Sequence, residues 1–334
     1  MTRLDGTAPQ AAAQAARRLA DGELVAFATE TVYGLGARAD DDAAVAKIFH
    51  AKGRPADHPL IVHVTNLQAA EAFCDSLPPL AQRLMAAFWP GPLTVIVARR
   101  SGMAEAAAGG QATIGLRAPA HPLAQALLAE AAALGVPGIA APSANRYGRI
   151  SPTRAAHVRS EFADVLPDLC VLDGGDCMVG IESTIVDCSR GHAVLLRPGV
   201  LTRAQLEAAA GEPLHEADAA APRASGTLAS HYAPRATLRL MSGAALRSAL
   251  EVLPIGALPA ASPRRLAVYS CSMPPPHGLT GRLMPADATA AAQELFAVLR
   301  AFDDEGVQLI WVEEPPPDPP WDGVRDRLRR AATR

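Results

Sequence analysis

Along the first third of the chain, stretches in which apolar and polar residues alternate with period 2 trade places with stretches of helical period. That is the pattern of an α/β domain built on a sheet. Residues 9–22, PQAAAQAARRLADG, predict a helix closed by Gly22, and 23–29, ELVAFAT, the strand that follows. The run DDAAVAKIFHAK predicts a second helix, capped by Asp40 or Asp41 and stopped by Gly53, with Lys52 at its C-terminal end where a cation is favoured. PLIVHV, 59–64, predicts a strand with Ile61 and His63 on the face opposite Leu60, Val62 and Val64. Further strands are expected at PLTVIVA, TIGLRA, GIAAP, STIVDC and AVLL, and helices at PLAQALLAEAAAL and TRAQLEAAA.

The texture then changes. GEPLHEADAAAPRASG mixes Pro, Gly, acidic residues and Ala without a steady period, as a linker does. Beyond it TLRLM, RLAVYS and VQLIWVEE predict strands, separated by helices at GAALRSALEVL and DATAAAQELFAVLRAFDDEG and followed by a last helix, WDGVRDRLRRAA. The expected order is a small β-α-β-α-β-α unit with a mostly parallel sheet. This divides the chain into a domain over 1–210, a linker over 211–230 and a smaller α/β domain over 231–334, in line with a length of 334 residues that exceeds one core.

Composition narrows the possibilities. No stretch approaches the ~20 apolar residues of a membrane span, and MTRLDGTAPQ lacks a charged-then-apolar signal pattern. Five scattered cysteines without a C-x-x-C pair argue against a disulfide framework or a structural zinc site and fit a reducing cytoplasm. A formal charge of −3 gives no overall footprint for nucleic acid. Lys47 and Lys52 are the only lysines among 31 basic residues, so each asks for a reason that a planar guanidinium does not meet.

The usual phosphate fingerprints are missing: no G-x-x-x-x-G-K-[ST] occurs, and TETVYGLGA lacks the dinucleotide glycine spacing. No G-x-S-x-G elbow or H-E-x-x-H motif is present. What remains is a set of loops at strand ends. In AKGRPADHPL, Lys52 and Arg54 flank a turn where an anion between them would relieve their repulsion; the bland alternative is a solvated turn. In APSANRYGRISPT, Ser143, Asn145 and Ser151 either cap the helix starting near Pro152 or donate to a phosphate. In TIGLRAP, Thr113, Gly115 and Arg117 share a strand face opposite Ile114 and Leu116, so Arg117 is either a carboxylate clamp or an ordinary exposed or ion-paired arginine. In GIESTIVDCSRGHAVLLRPG, Ser183, Thr184 and Arg197 either serve a site or decorate a strand edge and a turn, with Glu182 and Asp187 as candidate partners. Together the four loops offer cations, hydroxyls and amides without a strong nucleophile, which suits a polyanion and a small amino acid bound side by side.

With these residues in view, the sequence resembles the threonylcarbamoyl-AMP synthase family in its long form. TETVYGLGA, AKGRPADHPLIVHV, WPGPLTVIV, IGLRAPAHP, APSANRYGRISPT and GIESTIVDC with LLRPG match in order and spacing over roughly residues 22–200. HYAP at 231–234 and the closing RDRLRRAA are similar to the family's extra C-terminal domain. The resemblance implies a YrdC-like twisted mixed-sheet domain followed by a small Rossmann-like α/β domain. It implies a nucleotidyltransferase that joins L-threonine, bicarbonate and ATP, with Mg²⁺ carried on the ATP phosphates, to give threonylcarbamoyl-adenylate and pyrophosphate. It also implies a downstream threonylcarbamoyl transferase complex that modifies tRNA, with tRNA binding by this chain itself not required. Carried over by motif, Lys52, Arg54, Ser143 and Asn145 would surround the phosphates and carbamate. Thr31, His63, Arg117 and Ser183 would hold threonine. Arg54, His58, Thr113, Ser143, Ser151, Arg197 and Tyr232 would complete the ATP site.

Two departures stand out. His58 occupies a position where the family often has Asn, and ASGTLASHYAP lacks the lysine that the family's linker carries before its H-Y-A-P. The linker is expected to fold over the nucleotide as a lid. Two competing readings are weaker. An RNA-binding module is disfavoured by 4% aromatic residues and two lysines. A hydrogenase-maturation carbamoyltransferase would carry C-x-x-C pairs and an acylphosphatase-like segment, both absent.

Overall fold

The computed structural model describes residues 1–253 and 266–333. It divides into two compact units: Met1–Tyr147 with Ser151–Thr227, and Gly148–Ile150 with Leu228–Arg334. Residues 211–227 of the predicted linker therefore pack with the first unit.

In the first unit the strands are β1 (Thr2–Asp5), β2 (Val25–Phe27), β3 (Gly34–Arg38), β4 (Ile61–His63), β5 (Leu93–Ala98), β6 (Thr113–Arg117), β7 (Ile139–Ala140), β8 (Cys170–Asp173), β9 (Thr184–Asp187), β10 (Val194–Arg197) and β11 (His215–Glu216). They form one mixed sheet in the order β1-β8-β2-β3-β7-β4-β6-β5-β9-β10-β11. The alternation read from the sequence decides its faces. Val62, Val95, Val97, Ile114, Leu116 and Val186 point to one side, into a core completed by Val45 and Ile48 of helix Asp42–Lys52 and by Leu80 and Leu84 of helix Pro79–Phe88. On the opposite side, Val25, Phe27, Ile139 and Leu172 are covered by helices Ala11–Ala20 and Pro122–Ala133. Farther along that same side, Ile61, Ile96, Ile185, Val194 and Leu196 form a smaller cluster against which Ala221 and Ala224 pack.

Strand β3 has no clear signal in the sequence because glycines occupy it for packing. A Cβ at Gly36 would meet Ile139 Cγ2 at 2.8 Å and Phe27 Cε1 at 2.9 Å. The helix expected near Pro152 begins at Ala155. Asp41, of the two candidates, caps helix Asp42–Lys52, its carboxylate accepting from the amides of Ala43 (2.9 Å) and Ala44 (3.2 Å). Gly53 ends it in the left-handed region, with φ of 62°.

The second unit is a parallel sheet of β12 (Thr237–Met241), β13 (Leu266–Ser270), β14 (Thr280–Leu283) and β15 (Leu309–Glu313), in the order β12-β15-β13-β14. The additional strand β14, short and half-exposed, was not expected from the sequence. Arg265, first residue of the expected strand RLAVYS, lies outside the described residues. The architecture is thus a mixed-sheet α/β domain followed by a small Rossmann-like one, as the resemblance implied. Among the described residues no helix is long and apolar enough to cross a membrane.

Candidate functional site

The polar residues of the first unit gather on the sheet face that carries the smaller cluster of Ile61 and Ile96. His63 and Arg117 are register partners across β4 and β6. Thr94 on β5 precedes Val95, whose partner Leu116 precedes Arg117. Ser183 leads into β9, and Arg197 pairs with Ile185 across β9 and β10. All five side chains belong to buried residues. Because the side-chain period along a strand is 2, this row lies next to the apolar row of Ile61 and Ile96.

Arg117 is held as a rigid fork. Its Nε donates to the Gly91 carbonyl at 3.2 Å, Nη1 to Thr31 Oγ1 at 2.9 Å, and Nη2 to Glu30 Oε1 at 2.6 Å. Thr29 Oγ1 donates to the Val32 carbonyl at 2.6 Å, so in the 2.9 Å contact between the two hydroxyls it is Thr31 that donates. A directed chain therefore runs from Arg117 through Thr31 and Thr29 to the backbone, each bond polarising the next. Amides of Val179 and Gly180 donate to the carbonyls of Glu30 (2.7 Å) and Thr31 (3.1 Å), fastening this loop to the segment that carries Ser183. Ser183 Oγ lies 2.8 Å from Thr94 Oγ1 and accepts from Arg197 Nη2 at 3.2 Å. His63 is edge-on to Phe27, its Nδ1 without a hydrogen-bond partner. Burial first, and the Arg117 charge second, hold it down to about 3, so it is neutral.

A second cluster forms around Lys52, which is 2% exposed. Its Nζ donates to the Ser143 carbonyl at 2.6 Å and to the Asn145 carbonyl, tying the helix C-terminus to the loop after β7. Burial, and then the neighbouring Arg54, push its ammonium well below the usual lysine range, while Glu161 and Glu182 oppose the shift. Arg54 donates to the carbonyls of His58 (3.3 Å) and Pro59 (2.9 Å) and lies 5.7 Å from the centre of the Tyr147 ring. Tyr147 Oη meets His58 Nδ1 at 2.7 Å. Burial and Arg54 lower the His58 pKa. Ser143, Asn145 and Ser151 do not cap the following helix, whose N-cap is Arg154 without a side-chain bond. Ser151 instead donates to Glu182.

Arg197 is 2% exposed, so it does more than close a turn. It donates to the Ser183 carbonyl through Nε (3.0 Å) and Nη2 (2.9 Å), and through Nη1 to the Ser225 carbonyl at 2.8 Å. Asp187 pairs with Ser189 and Arg190. Residues 221–227 form a strap across the apolar row. Gln111 Nε2 donates to the Arg223 carbonyl at 3.0 Å and Oε1 accepts its amide at 2.8 Å, while the Arg223 guanidinium reaches Asp57 at 2.8 Å. Beneath it, bordered by Thr94, Thr113, Ile185 and Ser225, remains a cavity of about 10 Å³, room for one water. Tyr232 belongs to the second unit, where its ring stacks on Phe296 at 5.6 Å and lies 5.2 Å from Arg327.

Sequence reasoning gave no role to Glu30, Thr94 or Tyr147. Glu30 and Thr94 meet their partners across 87 and 89 residues of chain, so no local spacing signals them. All three lie inside motifs of the resemblance, and Tyr147 has a local signal besides, an aromatic among phosphate-type donors. Among the described residues no group of three or more His, Cys, Asp and Glu is placed to hold a metal ion.

Residues 17–199 match the Sua5, YciO and YrdC family model, described as "Telomere recombination", and residues 201–333 match "Threonylcarbamoyl-AMP synthase, C-terminal domain". The two models in this order define the class, a YrdC-type sheet domain extended by a Sua5-type C-terminal domain. The threonylcarbamoyl-AMP synthase of Bacillus subtilis (strain 168) is 38% identical over 96% of this chain and 92% of its own length. That of Pyrococcus abyssi is 42% identical over 69% of this chain and 67% of its own. The crystal structure of P. abyssi Sua5 complexed with L-threonine superposes with a TM-score of 0.86 at 34% identity, covering 99% of this chain and 96% of that one. The chain belongs to the threonylcarbamoyl-AMP synthase family.

Proposed function

We propose that this chain condenses L-threonine, bicarbonate and ATP into threonylcarbamoyl-adenylate and pyrophosphate, as a nucleotidyltransferase. The threonine amine attacks the bicarbonate carbon and water leaves; the resulting carbamate oxygen attacks the α-phosphate and displaces pyrophosphate. No protein nucleophile is needed, so the protein contributes position and fixed charge. ATP enters as its magnesium complex, the ion screening the triphosphate.

The observation that carries this reading is the row of Arg117, Thr31 and Ser183 beside the Lys52 and Arg54 cluster on one unit. Arg117 takes the threonine carboxylate with its planar fork. Thr31 and Ser183 orient the amino acid, and neutral His63 lines the seat without adding charge. Lys52, clamped to the carbonyls of Ser143 and Asn145, fixes the loop that faces the phosphates together with Arg54. His58, Thr113, Ser151 and Arg197 hold the rest of the nucleotide once the strap has lifted. The complex of the P. abyssi relative with L-threonine supports the choice of amino acid. The product serves a threonylcarbamoyl transferase complex that modifies tRNA in the cytoplasm.

Pyrophosphate release from ATP by the purified full chain, with threonine and bicarbonate omitted in turn, tests this. Release is expected only when both are present. Release indifferent to threonine would assign the site to another acceptor.

A further inference from the structure

We propose that Glu30 is the seat of the α-ammonium group of the amino-acid substrate, and that until the substrate arrives it stands in for the substrate carboxylate on Arg117. This rests on the reading of the Arg117 pocket as the threonine site and adds what selects a zwitterion there.

Glu30 is 8% exposed and Arg117 4%. The carboxylate uses one oxygen, Oε1, on the Arg117 fork at 2.6 Å; the other, Oε2, is buried without any hydrogen-bond partner. Buried carboxylate oxygens are nearly always satisfied, so one left over calls for an explanation. Packing does not supply it, since a carboxylate held only for structure would place both oxygens on donors. The backbone cannot drift to relieve it either, because the Glu30 carbonyl accepts the Val179 amide at 2.7 Å. The side chain alone is left to turn.

An α-amino acid brings one carboxylate and one ammonium. Its carboxylate fits the Arg117 edge that Glu30 occupies, and its ammonium then supplies donors to the displaced Glu30, Oε2 included. Two cations and two anions alternate, and the net charge of the buried pocket does not change. A ligand with the carboxylate alone would leave two anions facing one arginine, which the low dielectric penalises. Discrimination thus comes from an unpaired charge presented to the wrong ligand.

Calorimetric titration of the full chain with L-threonine and with (R)-3-hydroxybutanoate, which is threonine without its amine, tests this. Wild-type protein is expected to bind threonine at least tenfold more tightly, a comparison that requires no variant to fold. In Glu30→Gln, threonine affinity is expected to fall by about 10- to 100-fold, the range of a hydrogen bond to a charged group. The affinity for 3-hydroxybutanoate should stay the same or rise. Equal binding of the two ligands by the wild type overturns the proposal. So does an equal loss for both ligands in Glu30→Gln, which marks a role confined to positioning Arg117, and so does unchanged threonine affinity. If the wild type binds no threonine, the proposal falls together with the reading beneath it.

Discussion

The buried neutrality of His63 makes a quantitative prediction about acid stability. Its folded pKa is depressed from an ordinary 6.5 to about 3, by burial first and by Arg117 second. The unfolded chain therefore binds a proton near pH 6.5 that the folded chain refuses. The stabilising contribution is complete above pH 6.5 and is lost progressively as pH falls towards 3. At pH 5 the unfolded histidine is about 30 to 1 protonated while the folded one is not, a differential of ~2 kcal/mol. His63→Gln removes the titration but keeps a polar side chain, so the quantity to measure is a double difference. Guanidinium unfolding of wild type and variant at pH 8 and pH 5 should show the wild type losing ~2 kcal/mol more than the variant between the two. Threonine affinity should show no step near pH 6.5, because the histidine beside Arg117 stays uncharged there. Parallel acid dependence of the two proteins, within about 0.5 kcal/mol, would refute the reasoning.

Two further outcomes follow from the same face of the sheet. Arg117→Lys keeps the charge but loses the planar fork, so the KM for threonine should rise about tenfold or more while the KM for ATP changes little, read from pyrophosphate-release kinetics; equal changes in both would remove the arginine from the amino-acid seat. The strap over Thr113 leaves space for only a water, so on the proposed reading of Thr113 as part of the ATP site the nucleotide displaces the strap. Gln111→Ala deletes two hydrogen bonds that latch it, worth ~1.4 kcal/mol or somewhat more, and should tighten ATP-analogue binding about tenfold. Unchanged or weaker binding would mean that the strap does not compete with ATP.

Much of this face was legible in the sequence because it is written in period 2: Thr113, Gly115 and Arg117 against Ile114 and Leu116, and His63 against Val62 and Val64. What alternation cannot give is register. That His63 meets Arg117, and that Glu30 reaches the same arginine, depends on pairings across the sheet. Strand β3 escaped notice because the glycines that let it pack against Phe27 also erase the strand signature. Glu182, expected as a partner of Ser183, Thr184 or Arg197, accepts a hydrogen bond from Ser151, a pairing across 31 residues that no local spacing signals. Lys52 was legible in part: rarity among arginines marked it, and its two carbonyl acceptors explain why a compact, slim cation stands there.

The most direct measurement is a crystal structure of the full chain with L-threonine and a non-hydrolysable ATP analogue. The account predicts the threonine carboxylate on the Arg117 fork, the amine facing Glu30, and the analogue's phosphates beside Lys52 and Arg54. Threonine bound elsewhere, with the Arg117 to Glu30 bond unbroken, would contradict it.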